Sequence, residues 1–100
     1  MTTLRGYLLS YDIADKKRLR AMHRLAKAHG KALQYSVFAC LLRREDRVRL
    51  ASRIEALIDG KQDRVVIIDL GAVADRESWI PPMETFGRQE VAQERSAIIV

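Results

Sequence analysis

An α+β fold is predicted by three observations. Short runs rich in Leu, Val, Ile and Tyr alternate with two segments whose apolar residues recur at helical spacing, in the order strand, helix, strand, strand, helix, strand. Asp and Gly stand at the junctions where helices are expected to start and stop. With 48% hydrophobic and 31% charged residues in a chain of 100, the composition is that of one globular domain and not of a disordered segment.

Leu4–Tyr11 reads as the first strand from its Leu and Tyr content. Asp15 is a suitable N-cap for a helix over Lys16–His29, in which Leu19, Met22, Leu25 and Ala26 share one face. Gly30 is the expected stop, because glycine enters the left-handed conformation after a helix without penalty. Lys31–Leu42 is rich in strand formers but long for one strand, so a break near Gln34–Ser36 divides it into a short strand and a longer one. A second helix is expected over Arg44–Asp59, with a buried stripe of Leu50, Ala51, Ile54, Leu57 and Ile58 and an end at Gly60. Arg64–Leu70 contains Val65-Val66-Ile67-Ile68, apolar on both faces and therefore expected to be covered on both.

The order β-α-β-β-α-β is that of a ferredoxin-like fold, an antiparallel sheet with both helices on one face. The other face is apolar and bare, and a second copy of the chain is its simplest cover, so a face-to-face homodimer is expected. The domain is assigned to residues 1–75 and a C-terminal extension to residues 76–100. Gly71–Gly87, with Trp79, the Ile80-Pro81-Pro82 turn and Phe86, reads as irregular or weakly stranded. After the charged Arg88–Arg95, the apolar Ala97-Ile98-Ile99-Val100 is expected to form an edge strand on its own or the partner's sheet.

No apolar run approaches a membrane span, and the first residues lack the layout of a signal peptide. The single cysteine, Cys40, cannot form an internal disulfide and reads as a small hydrophobe in a strand, which fits a cytoplasmic protein. Net charge is +5 and unevenly spread. Residues 1–40 hold eight Lys/Arg against two Asp, whereas residues 65–100 hold three against six Asp/Glu. Basic charge concentrated in the first half is expected of a surface that meets a polyanion such as nucleic acid.

Asp12 is the residue packing explains least. It ends the first strand and precedes a strongly basic helix, with only Asp15 as a second acid nearby. A carboxylate at a strand end can hold Mg²⁺ through oxygen while water and phosphate oxygens fill the other positions. One carboxylate is a weak site; two, brought together across a twofold axis, make a credible one. The alternative is that Asp12 caps the first helix or its loop. Along that helix Lys16, Lys17, Arg18, Arg20, Arg24 and Lys27 form a cationic surface, with Lys16, Arg20 and Arg24 at i, i+4 spacing. Such a row follows a phosphate backbone but reads no sequence. Arg18 and Arg20, six and eight residues after Asp12, are candidates to stabilise charge on a phosphorane-like transition state. His23 and His29 face different directions, which argues against a zinc pair, and Ser10 and Ser36 lack an evident His–acid pair. Tyr7, Tyr11, Tyr35 and Phe38 are strand aromatics, for which core packing is a commoner role than stacking on bases.

Tyr11-Asp12-Ile13, then Asp15-Lys16-Lys17-Arg18-Leu19-Arg20, then Gln34-Tyr35-Ser36-Val37-Phe38 after Gly30, resembles the CRISPR-associated protein 2 family over about residues 4–70. That resemblance implies a ferredoxin-like homodimer with one Asp per protomer facing the other near a Mg²⁺ (or Mn²⁺) ion. By position, Asp12 would be the catalytic residue and metal ligand, and Tyr11, Arg18, Arg20, Ser36 and Phe38 supporting residues around the cleft. It also implies a metal-dependent endonuclease acting on single-stranded RNA or double-stranded DNA, within the spacer-acquisition machinery of prokaryotic adaptive immunity. Two alternatives stand beside it: a non-catalytic scaffold holding duplex DNA for the spacer integrase, and a stand-alone toxin-type ribonuclease of related fold. Ala39 and Cys40, where many relatives carry a polar residue, and the segment from Arg76 to Arg95 depart from the family pattern.

Overall fold

A computed structural model describes residues 3–88. Six elements follow one another: β1 (Arg5–Asp12), α1 (Lys16–His29), β2 (Lys31–Gln34), β3 (Val37–Leu42), α2 (Arg44–Leu57) and β4 (Arg64–Ala72). The strands form one antiparallel sheet in the order β2-β3-β1-β4. This is the predicted ferredoxin-like α+β arrangement, with the first strand at the centre. The expected break falls at Tyr35–Ser36, a two-residue turn. The strand expected over Ala97–Val100, with its docking on a partner, lies outside the described residues, as does most of Arg88–Arg95. Residues 73–88 contain no helix or strand, as the sequence predicts.

Strand alternation sorts side chains between the two faces. Tyr7, Leu9 and Tyr11 of β1 and Phe38, Cys40 and Leu42 of β3 point to the helices. They form the core with Met22 and Ala26 of α1 and Leu50 and Ile54 of α2. Leu19, Leu25, Leu57, Val65 and Ile67 pack against this cluster. Cys40 is buried, and burial pushes its thiol up to about 12, so it is the inert small hydrophobe the sequence implies.

The opposite face carries Gly6, Leu8, Ser10, Val37, Leu41, Val66 and Ile68. It is neither fully bare nor fully covered. Trp79 reaches back from the segment after β4 and lies directly on Gly6, where a side chain would collide with the indole ring. Leu8 and Val66 remain half-buried and Ile68 is 45% exposed, so β4 is covered within the chain on one face only. An extra residue, Leu70, interrupts the β1–β4 register between Gly6 and Tyr7, with Gly71 at positive φ (102°) beside it. Beyond this bulge, the Val73 amide donates to the Leu4 carbonyl and continues the pairing (2.9 Å).

Two helix ends differ from expectation. Gly30 has extended backbone, not left-handed, with φ −162°. Glycine is required there by proximity: a Cβ would come within 2.5 Å of the Ala39 carbonyl oxygen and 2.6 Å of Cys40 Sγ. α2 ends at Leu57 and is closed by the Ile58 amide donating to the Ile54 carbonyl, while Gly60 belongs to the turn that follows.

Candidate nucleic-acid interface

Asp12 occupies the last position of β1, exposed, and opposite Arg64 of β4. Alternation places it on the face away from the helices. Its carboxylate makes no hydrogen bond or ion pair with any described residue. The capping alternative is overturned, because Asp15 caps α1 instead, its Oδ2 accepting from the Arg18 amide at 3.0 Å. On the other side of β1, the Tyr11 amide donates to the Ser36 carbonyl (3.2 Å), which draws the β2–β3 turn alongside the strand end. Ser36 thus holds a neighbouring loop through its backbone.

Tyr11 and Phe38 do not join Asp12 around a cleft. Both lie on the helix face, Tyr11 at 5% and Phe38 at 1% exposure, with ring centroids 6.2 Å apart. The reason is parity: Tyr11 shares its face with Leu9 and Tyr7, one residue out of step with Asp12. Tyr11 Oη lies 2.9 Å from His23 Nδ1 and donates to the Tyr35 carbonyl (3.3 Å), and burial raises its pKa above the usual phenol value.

Arg18 likewise departs from its expected role. Its Nε donates to Asp63 Oδ2 (2.7 Å), and its Nη2 donates to Asp63 Oδ1 (3.2 Å) and to Gln62 Oε1 (3.3 Å). Asp63 is a residue that the sequence alone does not single out. Its side chain is fully shielded from solvent and also accepts the amides of Ala14 (2.9 Å) and Asp59 (2.8 Å). A shielded carboxylate needs a counter-charge and full hydrogen bonding, and both are met here. The Arg18 guanidinium, above all, holds the Asp63 carboxyl well below the usual carboxylate range. Arg18 therefore staples the start of α1 to the loop before β4, and its guanidinium is committed to Asp63. The signal available in the sequence is Asp59 and Asp63 flanking Gly60, a turn-forming pattern.

The other cations stand differently. Lys16, Lys17, Arg20, Arg24 and Lys27 are exposed and form no ion pair with described residues. At α2, by contrast, Arg43 just before the helix and Arg49 within it both bind Asp46 (3.0 and 2.9 Å) and lower its pKa, so that helix offers fewer open charges than its sequence suggests. Among the described residues, no group of three or more His, Cys, Asp or Glu gathers to hold a metal ion. The described residues of one chain thus hold no ready-made metal centre, and Asp12 stands at the strand end as a lone exposed carboxylate.

The fold and this surface define a small basic α+β domain of ferredoxin-like type, with an acid at the end of its central strand that has no partner among the described residues. The model of the CRISPR associated protein Cas2 family matches residues 6–77, and the chain belongs to that family. It is 38% identical over 95 residues to CRISPR-associated endoribonuclease Cas2 1 of Rhodospirillum rubrum, covering 95% of this chain and 90% of the relative. It is 32% identical over 94 residues to CRISPR-associated endoribonuclease Cas2 of Geobacter sulfurreducens, covering 94% and 96%. The crystal structure of Streptococcus pyogenes Cas2 superposes with a TM-score of 0.69 at 30% identity, over 82% of this chain and 99% of that one. A hypothetical protein from Thermus thermophilus superposes at 0.70 with 31% identity, over 88% and 96%.

Proposed function

We propose that this chain is an endonuclease subunit that acts as a homodimer on phosphodiester bonds of RNA or DNA within CRISPR spacer acquisition. The observation that carries the reading is Asp12, an exposed carboxylate with no partner among the described residues, at the end of a strand that leads into a helix of open cations, in a family whose relatives are named endoribonucleases. A second copy laid on the apolar face around Ile68 would bring a second Asp12 to the same face. Two such carboxylates suit a Mg²⁺ or Mn²⁺ ion, which when bound supplies an activated water and charge neutralisation at phosphorus. Arg20 and Lys16, at the start of α1, attract and hold the phosphate backbone, while the turn at Tyr35–Ser36 borders the strand end.

A second reading is favoured by the open cationic row. Lys16, Arg20, Arg24 and Lys27 would grip a duplex without cutting it, as a scaffold for the spacer integrase. Cleavage of labelled single-stranded RNA and duplex DNA by wild type and Asp12→Ala, each with Mg²⁺ and with chelator, separates the two. The nuclease reading expects at least a roughly hundredfold loss in Asp12→Ala with binding intact. Equal cleavage by both proteins sinks Asp12 as the catalytic residue. Salt-sensitive duplex binding without cleavage by either leaves the scaffold.

A further inference from the structure

The turn between β2 and β3 presents an aromatic surface that neither core packing nor the Asp12 site uses. Tyr35 is 67% exposed, unlike Tyr7, Tyr11 and Phe38, which are buried. Its ring is nonetheless held in place. One face stacks on the His23 imidazole at 5.2 Å between centroids and 19° between planes, and His23 in turn meets the edge of Phe38 at 5.6 Å. Its carbonyl is held by Tyr11 Oη (3.3 Å), and the next residue's carbonyl by the Tyr11 amide (3.2 Å). Apart from this stacking the residue is largely open to solvent.

His23 also ties this surface to charge. It follows Arg20 by three residues and precedes Lys27 by four, so on α1 it lies in the same row as Lys16, Arg20 and Lys27. An aromatic face set among open cations is the arrangement that binds a single strand: phosphates follow the cations while an unpaired base lies on the ring. A duplex keeps its bases stacked on one another and cannot use such a face. Because the ring is already fixed by His23 and Tyr11, little conformational freedom is lost on binding.

We propose that Tyr35, backed by His23, is a stacking platform that holds one unpaired nucleobase of a bound single strand. This rests on the nucleic-acid reading above and adds to it the residue that would grip a base. The test is fluorescence anisotropy with a labelled oligoadenylate and a blunt duplex of equal length, in chelator so that nothing is cut. Tyr35→Ala is expected to weaken oligoadenylate binding about 5- to 150-fold, while Tyr35→Phe stays within about twofold of wild type. Tyr35→Leu, apolar but not aromatic, should behave as Ala. Duplex binding should change less than about twofold in all three, and Arg20→Ala should reduce the salt dependence of single-strand binding. Single-strand binding unchanged in Tyr35→Ala, or lost equally with duplex binding, overturns the platform. Cleavage that survives Asp12→Ala, beside a single-strand defect in Tyr35→Ala, would remove the catalytic reading and leave the platform standing.

Discussion

The two faces of the sheet are built to opposite standards. On the helix side Leu9, Met22, Phe38, Cys40 and Leu50 are sealed from solvent, and no buried side-chain polar atom among the described residues lacks a partner. On the other side Leu8 and Val66 are half-buried, Ile68 is open, and Asp12 has no partner among the described residues. Folding free energy is thus gathered on one face, leaving the other free to carry groups that do not stabilise the chain. The difference also teaches how closely neighbours can diverge: Tyr11 and Asp12 are adjacent in sequence, yet one is a core residue and the other an open acid.

Substitutions that respect or violate this division rank in a definite order. Leu9→Ala opens a cavity in the sealed face and should cost about 2–5 kcal/mol by urea denaturation. Asp63→Asn breaks the staple to Arg18 and should lower Tm by roughly 10 °C or more. It should also change the acid limb of stability. Because the folded Asp63 is held below its unfolded value of about 3.9, its contribution is complete above that pH and is lost as pH falls below it. Wild type should therefore lose stability more steeply than Asp63→Asn below about pH 4, and equal slopes would remove Asp63 from its assigned place.

Gly6→Ala, on the less sealed face, forces the indole of Trp79 to move and should cost about 1–3 kcal/mol. Trp79 is the only tryptophan, so its emission should shift to the red on the same sample. Smallest of all, Ile68→Ala should cost under about 1 kcal/mol at low protein concentration. A cost that grows with protein concentration would show a second copy resting on that face.

Element order and most boundaries are legible in the sequence because the determinants are local. Asp15 caps its own helix, Met22 and Ala26 follow helical periodicity, and the break between β2 and β3 shows as a run too long for one strand. What escapes is set by contacts distant in sequence. Arg18 meets Asp63 across 45 residues and Ala14 meets it across 49, so nothing near Arg18 announces that its charge is already committed. Gly30 is necessary for a reason other than the helix stop, since the crowding comes from Ala39 and Cys40 on another strand. Asp12 is legible as an oddity, and strand parity also separates it from Tyr11. The special position of Tyr35 is not legible, because its exposure depends on the turn and its rigidity on His23.

The sheet order carries a consequence for how the chain is made. The first strand synthesised ends up in the centre, flanked by β3 and by β4. Any chain halted on the ribosome, or truncated, before Arg64 leaves one side of β1 with unpaired amides and carbonyls beside an apolar sequence. That edge invites pairing with a neighbouring chain until β4 arrives to cover it. Nonspecific self-association should accordingly peak in translation intermediates that contain β3 but not β4, and fall once residue 72 is free to fold.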